Sequence, residues 1–124
     1  FMKWKYSGIC SDGSIGGHPR GFGAFPRILA KYVRTEKLLT LEEAVYKMTN
    51  LNAQNLGIKN KGLIKVGYDA DLVLFDPLTV QDNATIEQPH ALATGIEKVW
   101  VNGEAVYDHL QPTTARPGKL IKRK

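Results

Sequence analysis

The stretch Ile9–Gly23, "ICSDGSIGGHPRGFG", decides how the chain is read. A run of β-like residues ends in Ser11-Asp12-Gly13, and the chain then passes glycines, His18 and Arg20 before its apolar spacing turns helical. A turn alone needs only two residues. A strand that delivers an aspartate at its C-terminal end, followed by a loop and a helix, is a β/α unit. In barrels of such units the catalytic residues sit at the C-terminal ends of strands. A carboxylate there can move a proton or bind a divalent metal. Asp before Gly is also ordinary tight-turn chemistry, so the tripeptide alone leaves both readings open. Its neighbours favour a site. Gly13, Gly16 and Gly17 let backbone approach a ligand, Pro19 stiffens the link between His18 and Arg20, and Arg20 offers a planar fork suited to a carboxylate. The plainer alternatives are an Arg20 paired with a structural aspartate and a His18 that only hydrogen-bonds within its loop.

Working outward, Met2–Ile9 alternates and is rich in aromatics, which predicts a short strand. Ser11–Gly23 reads as loop. From Phe25 the spacing is helical: Pro26 fits a first turn, and Ile28, Leu29, Tyr32 and Val33 form one apolar face over 26–34. "TLEEAVYKMTN" predicts a second helix over 40–49, with Thr40 as N-cap and Glu43 completing a capping box. Its buried stripe is Leu41, Ala44, Val45 and Met48. "NAQNLG" predicts a short third helix stopped by Gly57.

The period changes after Gly57. Leu72–Phe75 is a continuous apolar run closed by Asp76-Pro77, which predicts a buried strand. In "VWVNGEAVYD", Asn102-Gly103 between β-formers predicts a type I′ hairpin. Asp71, at a strand entry, reads as a residue that satisfies backbone donors. Trp4 and Trp100 read as residues that pack a core or an interface. The segment between these strands reads as polar and irregular. The fold class is therefore α/β: a strand, a rich loop and helices over residues 1–61, then a small β part with a basic tail over 62–124.

Composition narrows the function. The 124 residues carry a formal net charge of +5, but the tail "RPGKLIKRK" supplies five basic residues and no acidic one. Without it the charges cancel, so no basic stripe for nucleic acid is expected. No apolar run approaches the ~18 residues of a membrane span. The single Cys10 excludes an internal disulfide and fits a reducing, cytoplasmic compartment. The opening Phe1 reads as a chain entered in mid-structure, with a start at Met2 as the competing reading.

"SDGSIGGHPRGFGAFPRILAKYVR", "LTLEEAVYKMTNLNAQNLGI", "KGLIKVGYDADLVLFDP" and "GIEKVWVNGEAVYD" together resemble the C-terminal part of the N-acyl-D-amino-acid deacylases (D-aminoacylases), within the metal-dependent amidohydrolase superfamily. The resemblance implies the last strand and helices of a zinc-carrying (β/α)8 barrel, residues 1–61, followed by part of a β-sandwich, residues 62–124. It implies that Asp12 ends the eighth barrel strand, contacts the metal, and carries a proton from the attacking water to the leaving amine. It implies that Arg20 and His18 hold the substrate, with Arg20 near its carboxylate. The expected substrate is a small N-acyl-D-amino acid and the expected partner is the N-terminal remainder of the enzyme. A homo-oligomer through an open strand edge at residues 2–9 is a further option, with poor order of that strand as its alternative.

No His-X-His pair occurs, and His18, His90 and His109 lie far apart. Catalytic zinc takes three protein ligands, so this chain by itself is expected to hold no tight zinc and to be inactive. Two rival readings stay open. One is a non-catalytic interaction or assembly module. The other is a dihydroorotase-like or hydantoinase-like amidohydrolase.

Overall fold

A computed structural model describes residues 1–13 and 16–121. Ser14 and Ile15 of the glycine loop, and Lys122–Lys124 of the basic tail, lie outside the described residues. The order is helical first, then β: α1 (Arg20–Arg27) running into a π-helical segment (Ile28–Thr35), α2 (Leu41–Met48), α3 (Asn50–Leu56), then β1 (Leu72–Phe75), β2 (Ile96–Val101), β3 (Glu104–Asp108) and β4 (Gln111–Pro112). The four strands form one antiparallel sheet in sequence order.

Residues 2–9 do not form the predicted strand. A strand exists through its neighbours' ladder, and among the described residues no strand runs beside this segment. Its groups are taken locally and by α2 instead. Trp4 and Ser7 N–H donate to the Phe1 and Trp4 carbonyls, at 2.9 and 3.1 Å. Trp4 does not enter a core; it is exposed and meets Tyr6 edge to face.

The first helix begins at Arg20, five residues before the predicted change of pattern. Pro19 already has helical backbone angles, and His18 takes two early donors: Arg20 N–H on Nδ1 at 3.2 Å and Gly21 N–H on its carbonyl at 3.1 Å. Gly21 and Gly23, poor helix formers, concealed this start. Pro26 therefore lies inside the helix and leaves the Phe22 carbonyl without its usual donor. Two residues later the helix is π-helical, ending with Glu36 N–H donating to the Lys31 carbonyl at 2.8 Å.

The second helix starts as predicted. Glu43 N–H donates to Thr40 Oγ1 at 3.1 Å, and Thr40 N–H donates to Glu43 Oε2 at 2.8 Å. Gly57, left-handed, ends α3, with Ile58 N–H reaching the Ala53 carbonyl at 2.8 Å.

The core joins both halves of the chain. Ile28 and Leu29 from the π-helical segment, Leu39, Ala44 of α2 and the fully buried Val80 pack together, with Phe75 and Ile96 of the sheet against them. Arg34 reinforces the joint: its Nη1 donates to the Pro77 and Val80 carbonyls at 3.1 and 2.8 Å, and its Nη2 to Gln81 Oε1 at 3.0 Å. The region between β1 and β2 is irregular as expected, apart from an antiparallel bridge between Gln81 and Thr94.

Asn102 and Gly103 both have positive φ, 49° and 83°, so the β2–β3 turn is the predicted hairpin. A second two-residue turn, His109-Leu110 with φ of 44° and 67°, joins β3 to β4; it carries no glycine or asparagine to signal it in the sequence. Asp71 binds the first hairpin: Asn102 N–H donates to its Oδ1 at 2.8 Å, while Lys61 pairs with its Oδ2. The Leu72–Phe75 strand is present, but Val73 and Leu74, which point to opposite faces, are both about half exposed, so neither face of β1 is fully covered. Among the described residues no helix is long and apolar enough to cross a membrane.

Candidate active site around Asp12

Asp12, His18 and Arg20, singled out in the sequence, come together at the entrance to α1. Asp12 has φ of 45°, a left-handed conformation that aspartate, like asparagine, adopts more readily than most side chains. The Arg20 Nη2 lies 2.8 Å from Asp12 Oδ2, with both side chains more than half exposed. The plainer sequence reading, an arginine paired to an aspartate, thus describes one contact of Arg20. At this exposure the pair adds little stability. The guanidinium has further N–H donors beside the one that meets Asp12. His18, also exposed, accepts the Arg20 backbone N–H on Nδ1, which places the proton of a neutral imidazole on Nε2.

The segment before Asp12 is held from α2 and α3. Ile9 N–H donates to the Lys47 carbonyl at 2.9 Å, and Asn52 Nδ2 donates to the Ile9 carbonyl at 2.7 Å. The Lys47 ammonium is buried, 5% exposed, and donates to the Trp4 carbonyl at 2.6 Å and the Ser7 carbonyl at 3.1 Å. Sequence reasoning missed both residues. One signal existed: Lys47 stands three residues after Ala44, on the side of α2 that faces the core.

Cys10 is exposed. Phe22, two residues into α1, meets the His90 ring at a tilt of 49° with centroids 5.0 Å apart, which places the irregular loop against this end of the helix. Among the described residues no three His, Cys, Asp or Glu side chains group so as to hold a metal ion. Asp12 offers one carboxylate, short of the three ligands of a catalytic zinc, so the described residues do not by themselves fit one.

The sequence pattern of the Amidohydrolase family matches residues 7–107, and the chain belongs to that family. It is 46% identical over 104 residues to N-acyl-D-aspartate deacylase of Alcaligenes xylosoxydans xylosoxydans, covering 84% of this chain and 21% of that protein. A crystal structure of D-aminoacylase superposes with a TM-score of 0.84 at 47% identity, over 86% of this chain and 22% of that one. N-acyl-D-glutamate deacylase from Bordetella bronchiseptica, solved with zinc and a phosphonate mimic of the tetrahedral intermediate, gives a TM-score of 0.81 at 44% identity, again over 86% and 22%. The chain thus spans about a fifth of the length of the relatives it matches.

Proposed function

We propose that this chain is the C-terminal part of a zinc-dependent N-acyl-D-amino-acid deacylase, which hydrolyses the substrate amide to a carboxylate and a D-amino acid. The observation that carries the reading is the likeness to deacylases of both N-acyl-D-aspartate and N-acyl-D-glutamate across most of the chain. In this reading residues 1–61 close a (β/α)8 barrel and residues 62–124 form part of a β-sandwich. Zinc, when bound, would supply an activated water; Asp12 would be this chain's one ligand to it, and the others would come from outside this chain.

The residues here divide the remaining work. Asp12 is the proton carrier: it accepts a proton from the attacking water and returns it to the departing amine nitrogen, as a carboxylate beside the reacting atoms can. Arg20 aims Asp12 through their contact and turns its remaining donors toward the substrate carboxylate. His18 presents its Nε2–H beside them for the same group.

The test is steady-state turnover by the full-length protein of matched N-acetyl-D- and N-acetyl-L-amino acids, with dihydroorotate as a third substrate. Release of the D-amino acid alone is expected. Turnover of dihydroorotate with none of the N-acetyl-D-amino acids would replace this reading by its cyclic-amide rival.

A further inference from the structure

Asp12 stands between two attachments, and only the downstream one, Arg20, has a part in the chemistry proposed above. The upstream one is a three-residue arrangement of Gly8, Ile9 and Asn52. Ile9 lies in no sheet, yet both its backbone groups are engaged, the N–H by the Lys47 carbonyl at 2.9 Å and the carbonyl by Asn52 Nδ2 at 2.7 Å. The Asn52 amide thus does for Ile9 what a neighbouring strand's N–H does in a ladder. The fit extends to Gly8. A Cβ built on Gly8 would lie 1.8 Å from Asn52 Oδ1, so the amide occupies the space that a side chain at residue 8 would need. Asp12 follows three residues later with its backbone in the left-handed region. Three residues of chain separate them, so the place of Ile9 limits where the carboxylate can lie.

We propose that Asn52 is a positioning residue for Asp12, acting through Ile9 in a slot that Gly8 leaves open. The inference rests on the proton-carrying role of Asp12 and adds to it the part of the fold that fixes its place. A proton carrier must lie within hydrogen-bond reach of both the attacking and the leaving atoms, and misplacement by an ångström can cost about a hundredfold in rate. Substrate affinity does not depend on that placement in the same degree, because the carrier works on the reacting atoms.

The experiment uses the full-length protein and an N-acetyl-D-amino acid that it turns over. Asn52→Ala and the shape-preserving Asn52→Asp, whose carboxylate cannot donate to Ile9, are each expected to lower kcat about tenfold to a hundredfold. KM should stay within about twofold and the melting temperature within about 5 °C. Gly8→Ala should lower kcat alike by driving the amide out. The double variant Gly8→Ala/Asn52→Ala should be no worse than either single one, because the second change removes the atom that the first one strikes. A merely structural role would lower the melting temperature in every variant and leave kcat per folded protein unchanged. Unchanged kcat in both Asn52 variants, or losses that multiply in the double variant, overturns the inference. Should Asn52→Ala fail to fold, Asn52→Asp and Gly8→Ala carry the same comparison. Asp12→Asn in parallel separates the two claims: full activity there refutes the proton-carrying role itself, whereas a dead Asp12→Asn beside fully active Asn52 variants refutes only the positioning.

Discussion

Asp71 shows what one side chain contributes to the β half. Burial pushes its carboxyl up, but hydrogen bonds from the Lys61 ammonium and the Asn102 N–H, together with the Lys61 charge, outweigh this and hold it below its ordinary 3.8. Lys61 is raised above its ordinary 10.5, first by its hydrogen bond to Asp71. A lowered carboxylate stabilises the fold above its unfolded pKa, and that contribution disappears as pH falls through the lower folded value. A raised ammonium stabilises below its unfolded pKa, and that contribution disappears as pH rises through the higher folded value. Amide-exchange protection of Asn102 should therefore be flat between about pH 5 and 9 and decline on both sides. Asp71→Asn should remove the acid decline. An unaltered acid decline in that variant would mean that another group controls the turn. At the same scale, Arg20→Ala should raise KM for an N-acyl-D-amino acid in the full-length protein by more than about tenfold, since a charge-assisted contact to a carboxylate is lost. An unchanged KM there would remove Arg20 from substrate binding.

Among the elements, those with strong local chemistry are the ones that can be read from sequence. Thr40→Ala deletes the cap of α2 and should cost about 1 kcal/mol in chemical denaturation. Gly95→Ala should cost more, about 2–4 kcal/mol, for two reasons. Gly95 has φ of 77°, and a Cβ there would lie 2.4 Å from the Val80 Cα, at the heart of the core. A loss below that of Thr40→Ala would show that the Val80 segment can retreat at little cost. The capping box and the Asn102-Gly103 turn were legible because each is specified by residues three apart or adjacent. The start of α1 was not, because its first donors are met by His18 and its glycines argue against a helix. The strand over 2–9 was read from alternation, but alternation supplies no partner, and Lys47 and Asn52 take groups that a ladder would have used. The burial of Leu72–Phe75 was overestimated because an apolar run does not reveal how many faces of a strand are covered. Asp12, His18 and Arg20 were legible as a group since they share one short loop. Asn52 was not, being brought to Ile9 by the packing of α3 alone.

At the scale of the molecule, the proposed reading makes the chain a portion of an enzyme: Asp12 and Arg20 are paired here, and no metal-holding group of side chains occurs among the described residues. The purified 124-residue chain is accordingly expected to bind no stoichiometric zinc and to release no D-amino acid, as metal analysis beside an amidase assay would report. Tight zinc with turnover in that sample would contradict the division of the site between this chain and the rest of the protein. The most direct test of the central claim, that this chain supplies the proton carrier of a deacylase, is kcat of the full-length protein carrying Asp12→Asn. The amide keeps the shape of the carboxylate but cannot accept and return a proton. Turnover should be lost with the fold intact by circular dichroism. An Asn variant that retained more than about a tenth of kcat, a loss under about 1.4 kcal/mol in transition-state stabilisation, would contradict the account.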